Sequence, residues 1–177
     1  MTAIAPLLAA LLLLGVGGGW PWLVPASVVA AAWAGTTLPD LDLRLGLGHR
    51  SALLHSVLPM ALAALDRRSW PVAAGLGLGV GLHLAADLFP ASMRGYATVK
   101  LPLWGSIGAG ASYLWIAVNA ALALTAGAWM LAQVAPPRRA AWTLVTVAAL
   151  GATYLLRTDG GWWALALFAG LAWVAMR

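Results

Sequence analysis

Six side chains in this sequence have the types and spacing to hold a metal ion: Asp40 and Asp42 in "LPDLD", His49 and His55 in "HRSALLHSV", and His83 and Asp87 in "GLHLAADLF". The chain has only five acidic residues and three histidines, so Asp66 and Asp159 alone fall outside these three segments. Residues four apart on a helix are offset by about 40°, which lets His83 and Asp87 reach one point as a ligand pair. Leu38 precedes a proline and is biased toward extended backbone. If the extension continues, the carboxylates of Asp40 and Asp42 project to one side. Ser51 reads as a helix N-cap, leaving His49 in a loop and His55 in a first helical turn.

Without cysteine there is no thiolate ligand, thiol nucleophile or disulfide. Mixed imidazole and carboxylate donors favour zinc, with manganese or iron as alternatives, over calcium. Six donors suffice for one ion or for two bridged ions. Charged groups near hydrocarbon are costly, and intramembrane ionisable residues read as functional by default. A cation also removes the repulsion among crowded carboxylates.

Arg50 stands beside His49, where a guanidinium can grip a phosphate or carboxylate with two parallel hydrogen bonds, and it ranks first for substrate binding. Arg44, Arg94 and Lys100 complete a basic rim of candidate substrate contacts. Snorkelling to headgroups is the plainer account of Arg44 and Lys100.

The elements that must position these groups are apolar helices. Hydrophobic residues make up 63% of the 177 residues and charged ones 8%, which is membrane-protein usage. The net charge is +5 and the pI near 10.8, but the basic residues are scattered singly or in pairs, so membrane orientation explains them and a nucleic-acid partner does not. A crossing helix needs about 20 mostly apolar residues. The pattern predicts an all-α polytopic bundle of six to seven spans: 3–19, 22–38, 51–65, 69–90, 110–133, 140–156 and 161–176. No linker divides residues 1–177, which form one integral membrane domain with a motif-bearing part at 35–105 and C-terminal spans over 110–176.

The breaks "GGGWPW", "DRRSWP", "APPRR" and "RTDGG" carry turn chemistry. Trp20, Trp22, Trp70, Trp104, Trp142 and Trp162 fall near span ends, as an interfacial belt requires. The first span lacks the basic flank of a secretory signal and reads as retained. Alternating spans put 39–50, 91–109 and 157–160 on one side, so all six candidate ligands face one bilayer boundary. Discounting Arg44 and Arg50 as servants of the site, the remaining basic residues vote for that boundary facing outward.

"GLGLGVGL" lacks the context of a phosphate loop. Its Gly75/Gly79 and Gly77/Gly81 pairs suit close helix packing, and the first series continues by fours to His83 and Asp87. Asn119 and Gln133 read as interhelical hydrogen bonders, Asp159 as a turn residue with Arg157, and Asp66 as one with Arg67. Segment 91–109 is expected to form a flap or interfacial helix over the site.

Taken together, "LPDLD", "HRSALLHSVL" and "GLHLAADLF" followed by "RGYATVKLPLW" resemble the YdjM-like predicted membrane-bound metal-dependent hydrolases of bacteria and archaea, over roughly residues 35–105. The resemblance implies Asp40, Asp42, His49, His55, His83 and Asp87 as the metal and catalytic set, Arg50 as their companion, and residence in a bacterial or archaeal cell membrane. Ser51, Leu54 and Pro90 depart from that pattern without removing a ligand. The expected function is hydrolysis of a lipid or amphiphilic ester or phosphoester by a metal-activated water, with Asp40 or Asp42 as base and Arg50 stabilising charge. Membrane lipids are then both surroundings and substrate class. A metal- or proton-coupled transporter built on the same cluster is the alternative, although transport sites usually sit near the midplane. A third reading is a metal that merely clips helices together.

Overall fold

A computed structural model describes residues 3–15 and 21–177. The chain is mainly α-helical, with α1 (Ile4–Gly15), α2 (Leu23–Gly35), α3 (Leu41–Arg44), α4 (Leu58–Ala63), α5 (Trp70–Asp87), α6 (Ala109–Val134), α7 (Pro137–Leu155) and α8 (Gly161–Ala175). A two-residue hairpin, β1 (Lys100–Leu101) with β2 (Gly105–Ser106), is antiparallel and pairs Lys100 with Ser106.

The centre is α5, apolar on every side and buried from Pro71 to Gly81 without a break, as a helix surrounded by others must be. Its glycines decide who its neighbours are. A Cβ at Gly75 or Gly79 would collide with the Val28 or Ala32 carbonyl of α2, and one at Gly77 would meet the Ala123 carbonyl of α6 at 2.8 Å. The two glycine series therefore seat two helices on opposite flanks. Gly79→Ala is expected to cost about 1–3 kcal/mol by overpacking. The melting midpoint in detergent reads it, against Gly110→Ala, where nothing lies within 4 Å.

The outer helices bury one stripe each. On α6 the buried positions Ser112, Ile116, Asn119, Ala120, Ala123, Gly127, Met130 and Leu131 follow the helical repeat. On α7 they are Ala140, Thr143, Val147, Gly151 and Leu155. The remaining faces of these helices and α8 expose large apolar side chains, among them Leu114, Leu122, Trp129, Trp142, Trp162, Leu171 and Trp173.

Six to seven individually spanning helices are not found. Among the described residues, only Arg67–Asp87, which includes a leading 3-10 turn, and Ala109–Val134 are long and apolar enough to cross a membrane. At 1.5 Å per residue, the 12, 13 and 15 residues of α1, α2 and α8 reach roughly 18–23 Å, short of a ~30 Å hydrocarbon core. Part of the expected first span, and Trp20 of the aromatic belt, lie outside the described residues.

The 51–65 span is overturned more thoroughly. Residues 51–57 are turns, and α4 begins only at Leu58 because Pro59 stands in its first turn, where a proline starts a helix rather than sits inside one. Ser51 is no N-cap. It forms a parallel bridge with Lys100, in which the Lys100 N–H donates to the Arg50 carbonyl (3.0 Å) and the Ala52 N–H to the Lys100 carbonyl (2.9 Å). Segment 91–109 is accordingly neither helix nor free flap but a hairpin fastened to the histidine loop.

Candidate metal centre

Three separated stretches meet at one end of the bundle. Asp40 lies just beyond α2, His55 in the turns before α4, and His83 one turn from the end of α5. One ligand atom from each of these three lies within 4.8 Å of the others, close enough to hold a metal ion. Asp87 joins them: its Oδ2 is 3.4 Å from His55 Nε2 and 3.5 Å from His83 Nε2, while Asp40 Oδ1 is 3.9 Å from His83 Nε2. Donors at ~2.0–2.2 Å around zinc stand about 3.3–3.6 Å apart along a tetrahedral edge, so the two Asp87 contacts suit such an ion while Asp40 stands wider. The fourth span's Gly75–Gly79 stripe does run into this pair, since His83 docks against the end of α2 just as those glycines dock against its middle.

The orientation of His83 follows from its other nitrogen. Nδ1 is 2.9 Å from the Thr36 carbonyl oxygen, and 2.9 Å from the Tyr154 hydroxyl. A carbonyl only accepts, so Nδ1 carries the hydrogen and Nε2 is the nitrogen turned toward the carboxylates. Two carboxylate oxygens around Nε2 call for positive charge there, which a proton on the ring or a bound cation supplies. Holding the distal nitrogen by a backbone carbonyl is how metal-binding imidazoles are usually aimed.

His55 is completely buried with neither ring nitrogen hydrogen-bonded. Burial, then the neighbouring His83, lower its pKa to about 3, so the imidazole is neutral and able to ligate. On its far side Asp42 Oδ2 is 3.4 Å from Nδ1 and accepts a 3.0 Å hydrogen bond from the Ser51 backbone N–H. The contact is made by a backbone group, so the side chain at position 51 does not decide it. Asp87 Oδ2 and Asp42 Oδ1 are likewise buried without partners. Buried polar atoms are normally satisfied, and this concentration of orphans marks a place built for something further.

Other expected residues fall differently. Asp40 and Asp42 were expected on extended backbone, projecting together. Asp40 is instead helical at φ −67°, ψ −8° and precedes α3, so residues two apart diverge. Asp42 turns inward behind His55, fully buried, and Asp40 stays 55% exposed. His49 lies outside the close triad, stacked on Tyr96 with ring centroids 4.1 Å apart and 6.1 Å from His55. Its pKa is lowered, chiefly by burial.

Arg50 is not free to grip an incoming anion with its fork. One terminal nitrogen donates to Asp87 Oδ1 at 2.8 Å and the other to the Ala97 carbonyl at 2.7 Å, with Met93 Sδ at 3.4 Å. It reaches them from a left-handed backbone, φ +57°. Lys100 is similarly engaged, its ammonium donating to the carbonyls of Gly95 (3.3 Å), Tyr96 (2.6 Å) and Thr98 (2.7 Å). These two candidate substrate contacts are braces of the hairpin. Arg44 and Arg94 are exposed and make no ion pair among the described residues.

Several supporting residues escaped the sequence. Tyr154 and the Thr36 carbonyl hold His83; the Trp115 indole N–H donates to the His55 carbonyl at 2.9 Å; and the Ser112 hydroxyl accepts from the Val99 N–H at 2.9 Å. Asn119 does bond between segments, accepting from the Val57 N–H at 3.0 Å. For Tyr154 a signal existed: Tyr154, Arg157 and Thr158 make a polar stripe at helical spacing in an apolar stretch.

No family model, curated protein or solved structure matches this chain.

Proposed function

We propose that the chain is an integral membrane hydrolase that uses a divalent ion, zinc by its donor set, held by His55, His83 and Asp87, with Asp40 beside it on the open side. The observation that carries this reading is the meeting of two imidazole nitrogens and carboxylate oxygens from three distant segments, with His55 Nε2 and Asp87 Oδ2 buried without partners. The motif resemblance to YdjM-like hydrolases points the same way. Membrane residence is supported by the two helices long enough to cross and by apolar outer faces that water would not tolerate. The shorter helices then need local thinning or flanking residues that reach for the interface. The hairpin tip is suited to that boundary, with Leu103 99% and Trp104 81% exposed.

A divalent ion in this place supplies Lewis acidity and lowers the pKa of a bound water. The residues do the rest. Thr36 and Tyr154 fix the His83 ring, Asp42 backs His55, and Arg50 restrains Asp87. Asp40 is the open carboxylate of the set, against 17% exposure for the Asp87 side chain and none for Asp42. Asp40 is therefore the group placed to take a proton from water on the accessible side, a role Asp42 cannot fill from behind His55.

The test is elemental analysis of detergent-purified protein alongside turnover of lipid esters and phosphoesters. Asp40→Asn is expected to keep the fold and to lower turnover by about 10²–10⁴-fold, the usual worth of a positioned base. Wild-type protein that takes up no divalent ion would defeat the proposal. Metal uptake with metal-coupled flux and no bond cleavage would assign the cluster to transport.

A further inference from the structure

The seam between α2 and α7 holds two cavities of about 450 and 430 Å³, a furrow in two parts with Trp33 lining both. Its far part is lined by Trp22 just before α2, by Val29 and Ala30 of α2, and by Trp142 and Thr146 of α7. Its near part changes character: Thr36, Thr37, Thr153, Tyr154, Arg157 and Thr158 give it hydroxyls and one guanidinium. From Trp22 to Thr36 the furrow follows fourteen residues of chain, roughly 21 Å at 1.5 Å per residue. A single leaflet of hydrocarbon is about 15 Å deep, so the furrow accommodates one acyl chain with room for the start of a headgroup.

Two residues of the polar end are the same two that hold His83. The Thr36 carbonyl and the Tyr154 hydroxyl each lie 2.9 Å from His83 Nδ1. A molecule in the furrow thus has its polar end one side chain away from the metal centre. Arg157 is exposed and forms no ion pair among the described residues, Asp159 included, so its charge is available to an anion. Arg50 and Lys100, by contrast, have committed their donors.

We infer that the α2–α7 furrow seats one acyl chain of a membrane lipid whose phosphate headgroup is read by Arg157, and that this lipid class is what the metal centre acts on. The inference rests on the hydrolase reading for its last clause only. The seat itself is a binding property.

The experiment uses an ether-linked phosphonate analogue of phosphatidic acid, which has no ester or phosphoester bond to cleave, carrying a diazirine midway along one chain. The full-length protein is photolabelled in phosphatidylcholine nanodiscs and the labelled residues are mapped. Label is expected on α2 and α7 along the seam, and excess unlabelled phosphatidic acid should suppress it roughly tenfold better than phosphatidylcholine. Arg157→Gln should erase that headgroup preference. Ala30→Trp with Thr146→Trp, which fills the apolar end, should cut seam labelling by about tenfold with the metal content unchanged.

Label spread equally over α6 and α8, or competition that ignores the headgroup, means ordinary surrounding lipid and overturns the seat. Should the tryptophan variant fail to fold, the map and Arg157→Gln still decide. Seam labelling in a protein that cleaves no lipid bond upholds the seat and defeats the hydrolase reading. Lipid turnover without seam labelling does the reverse.

Discussion

Arg50→Met is expected to destabilise the protein by about 3–5 kcal/mol, the range for removing one partner of a buried ion pair. The mutation leaves Asp87 without its 2.8 Å partner, at side-chain exposures of 6% for Arg50 and 17% for Asp87. It also frees the Ala97 carbonyl, so the hairpin loses one of its fastenings to the helix end. The reading is the melting midpoint of metal-free protein in detergent, where no ion compensates the stranded carboxylate. Arg50→Met combined with Asp87→Leu should recover much of the loss, because an apolar pair replaces a buried ionic one at little cost. It should nevertheless bind metal poorly, having surrendered a ligand. A single mutant as stable as the wild type would mean that the guanidinium braces nothing.

The second large effect is on metal. His83→Ala removes the imidazole whose Nε2 faces both Asp40 and Asp87, and divalent metal in the purified protein should fall from near-stoichiometric to background. Tyr154→Phe supplies the scale. It keeps the ring and the Thr36 carbonyl contact and deletes only the hydroxyl 2.9 Å away, so affinity should drop within the roughly 10–100-fold that loss of a supporting partner costs. The ordering His83→Ala, then Tyr154→Phe, then wild type is the prediction, read by competition with a chromophoric chelator. Equal metal content in all three would remove His83 from the ligand set.

Much of this organisation is legible in the residues. The span expected at 110–133 emerges as Ala109–Val134, and a helix too short to cross, Gly161–Ala175, stands where the one at 161–176 was expected, because an uninterrupted apolar run bounded by turn residues has only one local solution. Gathering of the ligands at one end is legible too, since alternating helices leave few ways to arrange their connections.

What escapes the sequence has physical reasons. Pro59 lets a helix start only at Leu58 within the stretch expected to be helical across 51–65, yet hydropathy averaged over that stretch hides a single missing N–H. Asp40 and Asp42 carry the same side chain two residues apart, and only the helical backbone decides that one faces out and the other inward. Thr36 contributes through its carbonyl, which no side-chain pattern reports. Arg50 was a natural anion grip until Asp87 and Ala97, 37 and 47 residues away, claimed its fork. Competition from distant chain for a donor is settled in three dimensions.

If the proposed reading holds, an ion gathered at one end of the bundle with its open edge at Asp40 has one door, and that door opens to a single compartment. In sealed vesicles a chelator that cannot cross the bilayer should strip the protein from that compartment and leave it loaded from the other. Sidedness of demetallation then reports the orientation of the whole chain, without tags or proteolysis. Stripping at equal rates from both faces would mean that a second channel reaches the ion through the helices.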